Sequence, residues 1–140
     1  MAGLDPQTPQ EWMQLADGEL RAAEVLNNCE ECLVRVVRHH CHGAAELYLK
    51  AFLGQYGAPD RTHDLSELLA QCCLHDASFG EIATPVQSIA VDYYPTAQGQ
   101  ANCESSVQTH YNPADVFDGG TPCDWLDAAR QVRDFVTGKI

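Results

Sequence analysis

The chain has 140 residues, of which 45% are hydrophobic, and carries a formal net charge of −12 with a pI near 4.6. This length predicts a single domain, residues 1–140, that buries a core without disulfides, and the charge excludes a broad nucleic-acid-binding surface, which would need to neutralise phosphates. There is no signal-peptide pattern at the N-terminus and no apolar run near the ~20 residues of a membrane span, so we expect a cytoplasmic protein.

The first predicted helix runs from Pro9 to about Leu26. Thr8 is its expected N-cap, Pro9 its first residue, and Glu11 completes a capping box. The apolar positions recur at spacings of three and four, as on one face of a helix, at Trp12, Leu15, Ala16, Leu20, Ala23 and Leu26.

The second predicted helix starts near Cys29–Cys32, ends at Leu53 and is stopped by Gly54. Its apolar residues form two stripes. One stripe contains Val34, Val37, Cys41, Ala44, Tyr48 and Phe52, and the other contains Leu33, Val36, Leu47 and Ala51. A helix that is apolar on two sides packs between neighbours, so we place this helix at the centre of a helical bundle.

Three further segments are helical by pattern. We expect a short helix over residues 64–74, another over 79–94 with a kink or a late start at Pro85, and a last helix from Thr121-Pro122 to about Val136. Residues 96–120 are polar and rich in Gly, Asn and Ser, which predicts a long loop before the last helix. No segment has a convincing strand pattern, so the predicted fold class is all-α.

The central helix concentrates charge that the rest of the chain lacks. It holds three of the eight basic residues, three of the six histidines, and Glu46 as the one acid between Leu33 and Pro59. Four of its polar residues step by three and four and form one strip, namely His39, His42, Glu46 and Lys50. We predict that this strip binds a nucleotide, with Lys50 and the imidazoles at a phosphate, Glu46 at a ribose or base, and His63 joining from the next loop. An ordinary polar face with a Glu46–Lys50 pair is the alternative.

Metal ligation is the other chemistry that this composition suggests. Cys29 and Cys32 have zinc-like spacing, but on a helix Cys32 lies about 10 Å along the axis from His39, so one tetrahedral zinc cannot use both. The cysteine pair could share a metal only with Cys72-Cys73 or Cys103, and His42 could chelate locally with His39 or Glu46. Free thiols and ordinary imidazoles account for the same residues, so we predict no metal site and no cofactor.

Acid–base catalysis would need a positioned histidine. His63 and His110 are candidates, and Arg35 with His40 has the spacing of an arginine followed by a histidine after four residues. The sequence fixes no partner for any of them, so Arg35, His40 and His63 stand only as catalytic candidates.

The order of these features resembles the HEPN domain family, over about residues 10–137. The resemblance lies in the first helix, with its Trp12…Ala16…Glu19-Leu20 pattern, and in the central helix and the following loop. The most specific motifs are Ala44-Ala45-Glu46 with Lys50-Ala51, followed by Thr62-His63-Asp64-Leu65.

The resemblance implies an up-and-down bundle of four to five helices, often a homodimer, that works with a minimal nucleotidyltransferase in a toxin–antitoxin pair. Some relatives are metal-independent ribonucleases with an arginine and a histidine near the start of the last long helix. Residues 93–125 contain no arginine, and Tyr93-Tyr94-Pro95 stands where many relatives have Arg-Tyr-Pro. The sequence therefore favours a nucleotide-binding or partner-binding module over a ribonuclease, and a non-catalytic structural or regulatory dimer remains a third alternative.

Overall fold

A computed structural model describes residues 6–29, 33–90 and 121–140. Within these ranges the regular structure is helical and no strand occurs, which confirms the all-α prediction. The five α-helices are α1 (Pro9–Asn27), α2 (Val34–Leu53), α3 (Leu65–His75), α4 (Ala83–Ala90) and α5 (Pro122–Thr137). Two short 3-10 helices, Gly54–Tyr56 and Ala77–Ile82, follow α2 and precede α4.

Helices α1 and α5 both begin at capping boxes, of which the sequence predicted the first, and α5 begins at Thr121-Pro122 as expected. Thr8 Oγ1 accepts a hydrogen bond from the Glu11 amide at 3.1 Å, and Glu11 Oε1 accepts one from the Thr8 amide at 3.1 Å. Thr121 and Asp124 repeat the exchange at the start of α5. Each box satisfies amides that have no partner inside the first helical turn.

Helix α2 contacts α1, α3, α4 and α5, so its predicted central position is correct. It begins at Val34, two residues beyond the predicted start near Cys29–Cys32, and its N-cap Leu33 makes no side-chain capping bond. Its end at Leu53 is as predicted, and Gly54 caps it through its backbone amide.

The predicted helix over residues 79–94 is divided. A 3-10 helix over Ala77–Ile82 leads into α4, in which Pro85 is the third residue. Proline is tolerated there because amides in the first turn have no carbonyl partner inside the helix, so the late start is the correct alternative. Residues 91–94, the Tyr93-Tyr94-Pro95 motif and the predicted loop 96–120 lie outside the described residues.

The core lies between α2 and the other helices and is mostly apolar, with Phe79 packed against Phe52 at a ring-centroid distance of 4.3 Å and against Phe135 at 4.9 Å. Within the described ranges, four charged or polar side chains are also buried, and all four belong to α2: Arg38, His42, Glu46 and Lys50. None of the helices described is long and apolar enough to cross a membrane.

Candidate functional site

The four buried polar residues of α2 occur at every fourth position, slightly more than one helical turn apart. Their exposed fractions are 8% for Arg38, 2% for His42, 8% for Glu46 and 5% for Lys50. Residues four apart lie on one face of a helix, so the four side chains form a continuous line, which we call the polar strip. Burial of charged groups is costly unless they are paired, so the partners of the strip decide what it can do.

Glu46 is the residue at which the strip's contacts converge. Lys50 Nζ donates to Glu46 Oε2 at 2.9 Å, and His63 Nδ1 lies 2.7 Å from the same oxygen. His42 Nδ1 lies 3.9 Å from the other oxygen, Oε1. Lys50 and His63 thus hold one oxygen of the Glu46 carboxylate without any ligand, whereas the 3.9 Å between His42 and Oε1 is too long for a hydrogen bond.

His63 reaches Glu46 because of the way α3 begins. Asp64 is the N-cap of α3 and accepts from the amides of Ser66 and Glu67 at 2.9 and 3.3 Å. Because Asp64 is held in this way, the preceding residue, His63, lies beside α2. The His63 side chain remains 71% exposed even though its Nδ1 meets the largely buried carboxylate. His63 therefore connects the strip to solvent.

His42 is the most deeply buried member of the strip. Burial lowers the pKa of its imidazole to about 4, because the charged form loses its hydration. His42 is therefore neutral near pH 7 and offers one donor and one acceptor instead of a positive charge. It can orient a polar ligand, but it does not supply charge to a phosphate.

Lys50 has a different environment from the one that a phosphate-binding lysine needs. Its ammonium pairs with Glu46 and lies 5.9 Å from the centroid of the Trp12 ring. Lys50 does not line the cleft described below. In this position the Lys50 ammonium compensates the charge of Glu46. The imidazoles are therefore the candidates for contact with a phosphate.

A cleft of about 410 Å³ opens beside the polar strip. Helices α1 and α2 and the loop before α3 all contribute to its lining, which consists of Glu19, His39, His42, Gly43, Glu46, Leu47 and His63. Four of the five predicted ligand-binding residues therefore border one cleft, and the fifth, Lys50, is bonded to Glu46.

Three cleft residues, Glu19, Gly43 and Leu47, were not predicted as site residues from the sequence. A Cβ atom at Gly43 would lie 3.1 Å from Glu19 Oε1, so the absence of a side chain allows the carboxylate to rest on α2. Glycine inside a helix costs about 1 kcal/mol relative to alanine, and this was the available signal of a close approach. Nothing in the sequence, however, identified α1 as the approaching element.

The catalytic candidates Arg35 and His40 are not brought together by α2. Positions five apart differ by about 140° around a helix axis, so the two side chains leave the helix in different directions. His40 Nδ1 instead lies 2.6 Å from Glu19 Oε1, at the edge of the cleft. His63 is the catalytic candidate that both lines the cleft and contacts Glu46.

Arg38, at the other end of the strip, was also missed. Its Nη2 donates to the Ile89 carbonyl at 3.3 Å, and its guanidinium carbon lies 4.8 Å from the centroid of the Trp125 ring. Its spacing of four from His42 could have revealed it. Arg38 joins α2 to the end of α4 and the start of α5, and it does not line the cleft.

Within residues 6–29, 33–90 and 121–140, no group of three or more His, Cys, Asp or Glu residues is arranged to hold a metal ion. Cys41 and Cys72 are buried free thiols, and burial raises the pKa of each to about 12, so both act as small core residues. Cys32, Cys103 and the candidate His110 lie outside the described residues.

The family of the chain follows from a comparison with protein-family models. The model described as the HEPN domain matches residues 9–139, which includes all five helices and the cleft. Searches of curated proteins and of solved structures found no significant match. The family match supports a nucleotide-binding or ribonuclease-type module in general terms. The chain belongs to the HEPN domain family.

Proposed function

We propose that this HEPN domain binds a nucleotide in the cleft between α1, α2 and the loop before α3. The observation that carries the proposal is the buried Glu46 carboxylate, which Lys50 and His63 hold at 2.9 and 2.7 Å beside the cleft. A fixed acceptor inside a concave site is well suited to recognise the hydroxyl and amino groups of a ribose or base.

The imidazoles extend this arrangement toward solvent. His39 is exposed, His63 is 71% exposed, and both line the cleft. We therefore orient the ligand with its base or ribose at Glu46 and its phosphate toward His39 and His63. Such imidazoles can donate hydrogen bonds to phosphate oxygens without the permanent charge of lysine.

Calorimetric titration with AMP and GMP tests this proposal. Glu46→Gln should weaken binding about 10-fold to 100-fold, because a hydrogen bond to a charged group contributes about 1.5–3 kcal/mol. Glu81→Gln is the matched control, since it makes the same change of charge at an exposed position outside the cleft lining. Circular dichroism at the titration temperature should show that both variants are folded.

Binding of either nucleotide should also raise the melting temperature of the wild-type protein, because the ligand binds the folded state preferentially. A flat melting temperature at millimolar AMP and GMP would contradict the proposal. Equal loss of binding in Glu46→Gln and Glu81→Gln would place the ligand outside this cleft.

We further propose that the module works as a homodimer with a separate minimal nucleotidyltransferase, in a toxin–antitoxin arrangement. The support is membership of the HEPN family, whose domains commonly dimerise. Sedimentation equilibrium should give twice the chain mass of 15.4 kDa. The neighbouring reading frame should encode a minimal nucleotidyltransferase that co-purifies with the tagged chain, and its absence would contradict this partnership.

A metal-independent ribonuclease is a second candidate, because one contact favours it. His63 combines an accessible side chain with a carboxylate 2.7 Å from Nδ1, an arrangement in which Glu46 can orient the imidazole as a general base. The protein should then cut RNA in EDTA, and His63→Ala should abolish the activity while His75→Ala, on α3, retains it. Intact RNA across several substrates would eliminate this candidate.

A further inference from the structure

We propose that Glu19 reads the base of the bound nucleotide and that the cleft selects guanine, an inference that rests on the proposed nucleotide-binding function. Glu19 is the contribution of α1 to a cleft otherwise lined by α2 and His63.

Gly43 provides the space that Glu19 occupies. The Glu19 carboxylate lies directly above it, with Oε1 only 3.1 Å from the point where a Cβ atom would stand. His40 Nδ1 fixes the same oxygen at 2.6 Å. One oxygen of Glu19 is thus anchored on α2, and the carboxylate is held at the cleft by groups that do not depend on ligand.

The charges of the lining favour a ligand rich in hydrogen-bond donors. The lining, as far as the structure describes it, contains two carboxylates and three imidazoles but no lysine or arginine. Glu46 is compensated by the Lys50 ammonium, whereas Glu19 meets His40, which is charged only when protonated. A carboxylate accepts about four hydrogen bonds, so Glu19 has acceptor capacity beyond its bond to His40.

Guanine matches this demand better than the other bases. Its Watson–Crick edge presents two adjacent donors, N1–H and the N2 amino group, which can engage a carboxylate in two parallel hydrogen bonds. Adenine and cytosine place an acceptor nitrogen beside their amino group, and that nitrogen would face a negative oxygen. Uracil places a carbonyl on each side of its single N–H.

Titration calorimetry with GMP, IMP and AMP tests the proposal. GMP should bind at least 10-fold more tightly than AMP, and IMP, which keeps N1–H but lacks the N2 amino group, should fall between them. Glu19→Gln should reduce the affinity for GMP to that for AMP. Gly43→Ala should reduce the preference for GMP by less than Glu19→Gln does, because a methyl group 3.1 Å from Glu19 Oε1 shifts the carboxylate only slightly. Glu81→Gln should keep the preference.

The outcomes separate this inference from the proposed function. If AMP and GMP bind equally and both depend on Glu46, the guanine preference is overturned and the proposed function stands. If no nucleotide binds, both fail. A third outcome is that AMP and GMP bind equally well and that millimolar free arginine displaces GMP. Glu19 would then bind a guanidinium group, and the preference for guanine would be overturned.

Discussion

Helices α2 and α5 both bury one face in the same core, and they do so with different residues. Helix α5 begins at a capping box, and its buried residues are all apolar. Helix α2 has no side-chain cap, yet it buries Arg38, His42, Glu46 and Lys50 among its apolar residues. Stability alone explains α5, whereas α2 contains groups whose burial opposes folding.

The difference supports the site that we propose for this bundle. Replacing buried ion pairs by apolar residues of similar size is often neutral or stabilising, so the polar strip is a weak contributor to stability. Two of its members, His42 and Glu46, line the cleft together with two residues from other elements, Glu19 and His63. Four substitutions test this contrast.

Trp125→Ala should cause the largest loss of stability. Trp125 is fully buried at the start of α5, and truncation of a buried aromatic residue costs about 3–5 kcal/mol through lost burial and the cavity left behind. Urea denaturation should show this loss in the free energy of unfolding. A loss below about 1 kcal/mol would contradict the view that α5 is held by apolar packing.

Lys50→Met should cost about 3 kcal/mol, because it leaves the Glu46 carboxylate buried without its ammonium partner. The double variant Lys50→Met/Glu46→Gln should recover most of that loss, since it removes the uncompensated charge. The same urea titrations give both values, and a double variant no more stable than Lys50→Met would show that the pair is not coupled. Nucleotide binding should be as weak in the double variant as in Glu46→Gln alone.

His42 should make stability depend on pH. Its pKa falls from 6.5 to about 4 on folding, so the unfolded chain binds more protons between these values. The free energy of unfolding contributed by His42 is therefore full above pH 6.5 and is lost as the pH falls toward 4, by about 2 kcal/mol between pH 7 and 5.

Urea denaturation at pH 7 and pH 5 measures this contribution. His42→Gln should lose less stability than wild type over that interval, because it removes the imidazole that burial keeps neutral. An identical pH dependence in wild type and His42→Gln would contradict a neutral, buried His42.

Thr121→Ala should have the smallest effect, a loss of about 1 kcal/mol, because it removes the hydroxyl that accepts from the Asp124 amide at 3.2 Å. Thermal unfolding measures it. Affinity for nucleotide should not change, because α5 does not line the cleft. A change in affinity comparable to that of Glu46→Gln would link the start of α5 to the binding site.

Features fixed by local chemistry could be predicted from the sequence. The starts of α1 and α5 follow from Thr8 and Thr121, whose side chains bond within their own first turns. The His39–His42–Glu46 face of α2 also follows from spacing, because a helix places those positions on one side wherever it packs. The start of α2 was less predictable, since Leu33 provides no capping bond.

Features set by distant parts of the chain could not be predicted. Glu19 reaches the cleft because α1 crosses α2 at Gly43, and single-sequence periodicity contains no information on such crossings. Lys50 shows the same limit. Its spacing placed it on the strip, but only the fold shows that its ammonium turns to Glu46 and not to the cleft.

The most direct test of the account is an NMR titration of the histidine side chains with GMP. The imidazole resonances of His39, His42 and His63, which line the cleft, should shift together. The resonances of His75 on α3 should stay in place, because its ring lies outside the cleft and stacks on Tyr56 with a centroid distance of 3.9 Å. Unchanged resonances of His39, His42 and His63 at millimolar GMP, or shifts confined to His75, would contradict the proposal that this cleft binds a nucleotide.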